Sequence, residues 1–220
     1  MSLSPETRNE QLENLAEIRS LMERSTRFLS LSGLSGVSIG IIALIGTVFA
    51  WIYLDYEIDW THSRTELEGE LFGNPQAIPM KFVWQLGGAA IATLLAALGA
   101  AAFFTTRKAR KLGMPVWSKA ANLMVINLAI PLVAGGIFCF ILFYWHLFGL
   151  IAPATLIFYG LALINASKYT LGEIRLLGIA EIALGLVACV WLRQSLLFWG
   201  IGFGVLHVLY GLLMYYRYER

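Results

Sequence analysis

Residues 121–166 contain no Asp, Glu, Lys or Arg, and the run between them is almost wholly apolar. A helix needs about 20 apolar residues to cross a bilayer, so this stretch is too long for one crossing and suits two. The spacing places a tight turn near Phe143 to His146, although neither Pro nor Gly falls there. The same measure applied along the chain gives spans near 29–54, 82–103, 121–145, 147–166, 174–192 and 196–216. With 58% hydrophobic and 14% charged residues among 220, the chain holds more apolar surface than a soluble domain can bury.

These runs do not alternate apolar and polar residues, as strands of an outer-membrane barrel would. The expected fold is therefore all-α: a polytopic transmembrane bundle of six helices. The first run follows a polar segment of nearly thirty residues and exceeds a signal-peptide core, so it reads as a retained helix. Cys139 and Cys189 fall in different spans and read as small apolar fillers rather than a disulfide framework.

Orientation follows from the basic residues, which stay on the cytoplasmic side. With the N-terminus inside, only Arg64, Lys81 and Arg193 fall outside, and every other Lys and Arg falls inside. Trp favours membrane interfaces. Trp51, Trp60, Trp84, Trp145, Trp191 and Trp199 all fall towards the outer side, leaving Trp117 on the inner one. Both signals put the two termini on the cytoplasmic side of the membrane.

Two segments flank or join the spans. Residues 1–27 read as a cytoplasmic amphipathic helix, with Ser4 as N-cap, Pro5 at the first helical position and Leu12, Leu15, Ile18 and Met22 recurring at helical spacing. The outer loop, 55–81, carries Asp55, Glu57, Asp59, Glu66, Glu68 and Glu70 beside His62. It lacks the ligand spacing of a calcium loop, and an acidic outer loop is what the positive-inside bias produces. No metal or cofactor is expected.

Glycines suggest an internal repeat. Gly88 and Gly99, Gly149 and Gly160, and Gly200 and Gly211 each stand eleven apart, close to three helical turns. Ala43 and Thr47, Gly135 and Cys139, and Gly185 and Cys189 each space two small residues four apart, a pattern that lets helices approach closely in lipid. Three related hairpins would account for both patterns.

The chemistry concentrates in "LGEIRLLGIAEIALGLVACVW", residues 171–191. Glu173 and Arg175 fall at its cytoplasmic end, where long side chains reach the headgroups. Glu181 falls near the middle, where an unpaired carboxylate costs several kcal/mol and must find a proton or a partner. With the following turn centred near Gln194, Glu181 and His207 lie equally far from it, about 20 Å along adjacent antiparallel helices. At the same depth the other hairpins carry Pro131 and Leu156, and Ile39 and Leu95. Ser38, Asn122, Asn127, Tyr159, Asn165 and Tyr210 are further polar groups within spans. The candidate ligand or proton site comprises Glu181, His207, Tyr210, Asn127 and Ser38.

Other motifs carry less. "GLSG" at 33–36 has the pattern of the rhomboid protease nucleophile, but its place near one end of the first span sets Ser35 far in depth from His207. "RKARK" at 107–111 is explained by topology, so no nucleic-acid partner is expected. No phosphate-cradling glycine loop is present.

Two stretches, "IRSLMERSTRFLSLSGLSG" (18–36) and "GFGVLHVLYGLLMYYRYER" (202–220), resemble a family of integral inner-membrane proteins of Gram-negative bacteria. The resemblance implies that location and no catalytic residue. The leading functional reading is a non-catalytic sensor or scaffold whose residues 1–27 and 107–111 engage a cytoplasmic protein or a second copy of the chain. The alternative is a small-solute or proton binding or transport protein using Glu181 and His207. An intramembrane enzyme ranks last, because no nucleophile or metal set accompanies the pair.

Overall fold

The computed structural model describes residues 32–61, 80–113 and 115–220; the expected helix at 1–27 and most of the outer loop lie outside them. Among the described residues there is no strand. The helices are α1 (Gly33–Thr61), α2 (Met80–Lys111), α3 (Lys119–Tyr144), α4 (Ile151–Ala166), α5 (Glu173–Val190), α6 (Ser195–Trp199) and α7 (His207–Tyr218). A π-helical segment, Gly200–Leu206, joins α6 to α7 without a break. Five helical stretches are long and apolar enough to cross a membrane, the last being Leu192–Tyr218. The protein is thus all-α and membrane-spanning in character. α5, with Glu173, Arg175 and Glu181 in its 18 residues, is the one long helix too charged to join those five.

Boundaries differ most from the sequence expectation in the first two helices, where α2 runs on to Lys111, past the expected 103. α1 continues to Thr61 and α2 starts at Met80, so Asp55, Glu57 and Asp59 sit on helical backbone rather than in a loop. At 29 residues α1 is about 43 Å long, well beyond a bilayer core of about 30 Å. The α3–α4 connection takes its left-handed conformation at His146, with φ 56°, rather than at Gly149, a conformation that His tolerates better than a β-branched residue would.

The helices pack as a row. α2 lies on α1, α1 on the final rod (α6 to α7), the rod on α5 and α4, and α4 on α3. α4 packs most extensively on α5, and α1 packs extensively along the final rod, whereas α5 shares only a short seam with that rod. The third pair of helices is therefore not a closed hairpin like the first two. Glycines explain which faces close. A Cβ on Gly160 would meet the Gly178 carbonyl at 2.5 Å, and one on Gly36 would meet Gly211 Cα at 3.0 Å. Gly87, Gly88 and Gly99 face nothing within 4 Å. The eleven-residue glycine spacing thus recurs without a shared packing role.

The two ends of the row are distinct. At one end Glu219 accepts from the Gly33 N–H and pairs with Lys108 at 3.1 Å, while Glu173 pairs with Arg217 at 2.9 Å and accepts the Tyr218 hydroxyl at 2.8 Å. At the other end the turn Phe148–Leu150 approaches Leu192–Gln194. Trp51, Trp84, Trp145 and Trp191 are exposed, as interfacial residues of a membrane protein are.

Candidate functional site

Glu181 sits where α4, α5 and the final rod converge, the seam that joins the α3–α4–α5 group to α1 and α2. On α5 it lies three residues after Gly178 and four before Gly185, so all three occupy one helical face. Gly178 and Gly185 draw α4 close: Cβ atoms there would meet the Gly160 carbonyl at 2.7 Å and Ile157 Cγ1 at 2.6 Å. That close approach carries Glu181 into the interior, where it is 0% exposed.

The final rod receives the carboxylate at a glycine. A Cβ on Gly202 would stand 2.5 Å from Glu181 Oε2 and 2.6 Å from Leu156 Cδ2. Gly202 belongs to the π-helical segment, a form found mostly as short insertions at functional sites. Gly200 and Gly204 in the same segment face α1, against Thr47 and Leu44. Three buried glycines thus let one wide helical turn sit between α1 on one side and α4 and α5 on the other.

His207 begins α7 immediately after that turn and is 3% exposed. Its Nδ1 lies 3.0 Å from the Gly202 carbonyl oxygen and 3.4 Å from Glu181 Oε1. Its Nε2 lies 2.8 Å from the Tyr159 hydroxyl. Tyr159 also packs on Phe203, with ring centroids 4.9 Å apart, and Phe203 on Trp199 at 4.9 Å. Residues 199, 203 and 207 therefore form one aromatic face, four residues apart each time. Neither Glu181 oxygen has a hydrogen-bond partner among the described residues. An ionised carboxylate so placed is stabilised only by its neighbour's charge or by taking a proton.

The structure brings Glu181 and His207 together and leaves the other named residues apart. Ser38 donates to the Leu34 carbonyl of its own helix at 2.9 Å. Asn127 donates to the Leu123 carbonyl at 2.8 Å, and its own carbonyl accepts from Asn165 at 2.9 Å, which ties α3 to α4. Tyr210 packs against the apolar cluster of Leu163, Leu171, Ile174, Leu177 and Met214. The third member of the site is Tyr159. Its polar tip within an apolar span was the available signal, but helix rotation decided which tyrosine faces the pair.

Depth along α1 also differs from expectation. A Cβ on Gly36 would lie 3.4 Å from the His207 carbonyl oxygen, so Ser35 is near His207 in level rather than far from it. Ser35 nonetheless donates to the Ser32 carbonyl at 2.5 Å, and both His207 ring nitrogens are engaged elsewhere. Serine–histidine chemistry therefore has no geometric basis here. Glu173 pairs with Arg217 and not with Arg175, which is exposed. No group of three or more His, Cys, Asp or Glu able to hold a metal occurs among the described residues. Comparison of the chain with protein-family models, with curated proteins and with solved structures finds no match.

Proposed function

We propose that the chain is a six-span inner-membrane protein that takes up and releases a proton inside its bundle, at Glu181 and His207. The observation that carries this reading is a fully buried carboxylate, without a hydrogen bond on either oxygen, 3.4 Å from an imidazole nitrogen. Ionisable side chains at such depth are costly to keep and mark proton or ion pathways in membrane proteins. The pair stays neutral in sum when it holds one proton between its two members, so uptake or loss belongs to the pair rather than to either residue.

Counting α5 as a sixth crossing rests on its 18 residues, about 27 Å of helix, laid along α4 through Gly160 and Gly178. Glu173 and Arg175 then stand at the membrane edge, and Glu181 alone requires compensation. Six crossings bring both ends of the helical domain to one face, where Lys108, Arg110, Lys111, Lys119 and Arg217 also fall. The positive-inside bias assigns that face to the cytoplasm, in keeping with the family resemblance of residues 18–36 and 202–220. The scaffold reading draws on residues 1–27, outside the described part, and on 107–111 at the end of α2; the buried pair supports the proton reading.

Infrared difference spectra of the detergent-purified protein between about pH 5 and about pH 8 test the proposal. A Glu181 carboxyl band that shifts with pH in wild type, is absent in Glu181→Gln and is displaced in His207→Ala is the expected result. Identical spectra for wild type and Glu181→Gln would overturn it. Proton flux in proteoliposomes then separates transport from sensing.

A further inference from the structure

We infer that Tyr159 is the residue through which His207 exchanges its titrating proton, the exchange taking place at Nε2 and on the side of the ring away from Glu181. The inference rests on the proposed proton-binding role of the pair and assigns it a route.

Hydrogen-bond chemistry fixes the roles. Nδ1 lies 3.0 Å from the Gly202 carbonyl oxygen, and a carbonyl oxygen accepts but never donates. Nδ1 therefore carries a hydrogen in the neutral ring as well as in the imidazolium. The Glu181 carboxylate lies 3.4 Å from the same nitrogen without a hydrogen bond to it, since the one hydrogen there points at the Gly202 carbonyl. Nothing at Nδ1 is left to titrate.

Nε2 differs because its partner is a hydroxyl, 2.8 Å away, which both donates and accepts. The neutral ring accepts the Tyr159 O–H. When the ring gains a proton, that proton sits on Nε2, and the Tyr159 hydroxyl turns to accept it. The added proton comes from hydronium on the aqueous side, passed when Tyr159 gives its own hydrogen to Nε2 and takes the incoming one on oxygen. One hydrogen enters the hydroxyl, one leaves it for the ring, and the ring gains one positive charge beside the Glu181 carboxylate.

The surroundings are consistent with this direction. α4 contributes Tyr159 and α5 contributes Glu181 as the titratable groups facing the ring. α1, the other helix packed here, presents Gly36 and Gly40 to the final rod. Tyr159 lies against Phe203, and Phe203 against Trp199, so the aromatic face leads from the ring towards the end of the rod at Leu192–Gln194. Towards the opposite end the apolar cluster of Leu163, Leu177 and Met214 stands in the way.

Nitrogen NMR of histidine-labelled protein in micelles reads this directly, with His207→Gln identifying the signal among His62, His146 and His207. In wild type the neutral ring should carry its hydrogen on Nδ1, and acidification should add one on Nε2. Tyr159→Phe should keep Nδ1–H, lose the hydrogen-bonded Nε2 signature and slow the ring's response to a pH jump by about tenfold or more. A neutral wild-type ring protonated on Nε2 would overturn the inference, and that result needs no variant to fold. So would Tyr159→Phe with unchanged spectrum and rate. A flat infrared titration of Glu181 would instead remove the underlying functional reading, so the two failures are distinguishable.

Discussion

Glu219 and Glu181 are carboxylates on opposite terms with their surroundings. Glu219, at one end of the row, receives the Gly33 N–H, the Ser32 hydroxyl and the Lys108 ammonium. It supplies in trans the cap that a helix N-terminus ordinarily takes from its own preceding residue. Glu181, mid-helix and 0% exposed, receives no hydrogen bond. A saturated carboxylate stabilises the fold, whereas an unsaturated one costs stability. The two acids differ in their partners rather than in their charge.

The largest test of that contrast acts on the space around Glu181. Gly202→Ala should push a methyl group onto Oε2 and Leu156, lowering stability by about 1–3 kcal/mol as overpacking does. Chemical unfolding in mixed micelles measures it, and adding Glu181→Ala should restore much of the loss. Failure of the double variant to recover would locate the strain in Leu156 instead. Next in size, Glu219→Ala should cost about 1–2 kcal/mol, since it removes the acceptor of a helix N-terminus and one partner of Lys108. Arg217→Ala should cost no more than about 0.5 kcal/mol in the same assay, because that side chain is 65% exposed and its pairing is screened. Smallest is Glu181→Gln, expected to change stability by less than about 0.5 kcal/mol because neither oxygen loses a hydrogen bond, while abolishing the infrared carboxyl signal. A loss comparable to that of Glu219→Ala would erase the distinction between the two acids.

Much of this was legible before any coordinates. Apolar run length located the helices because a bilayer fixes how long they must be. Equal distance from a turn near Gln194 placed Glu181 and His207 at one level, since rise along a helix is set by backbone geometry alone. Rotation about the axis is not, and there the reading was incomplete: Ser38 and Asn127 bond within or between other helices, and Tyr159 takes the place expected of Tyr210. Chain adjacency also misled, because the final rod packs on α1 through Gly36, Gly40 and Gly211 more than on α5. The π-helical turn leaves a trace only in "GIGFG", whose glycines fit equally well with ordinary close packing. Glu219 had no pattern at all, being one acid near the end of a polar tail.

The final rod lies between α1 and the α4–α5 pair, and it is synthesised after both. Until it arrives, the grooves that Gly33, Gly36 and Gly40 offer on α1 and the face around Glu181 on α5 have no protein to fill them. The two earlier groups, joined by the short connection 112–118, share little packing of their own, and the final rod is what packs them into one body. The rod that carries His207 is therefore also the element that closes the protein around its buried acid.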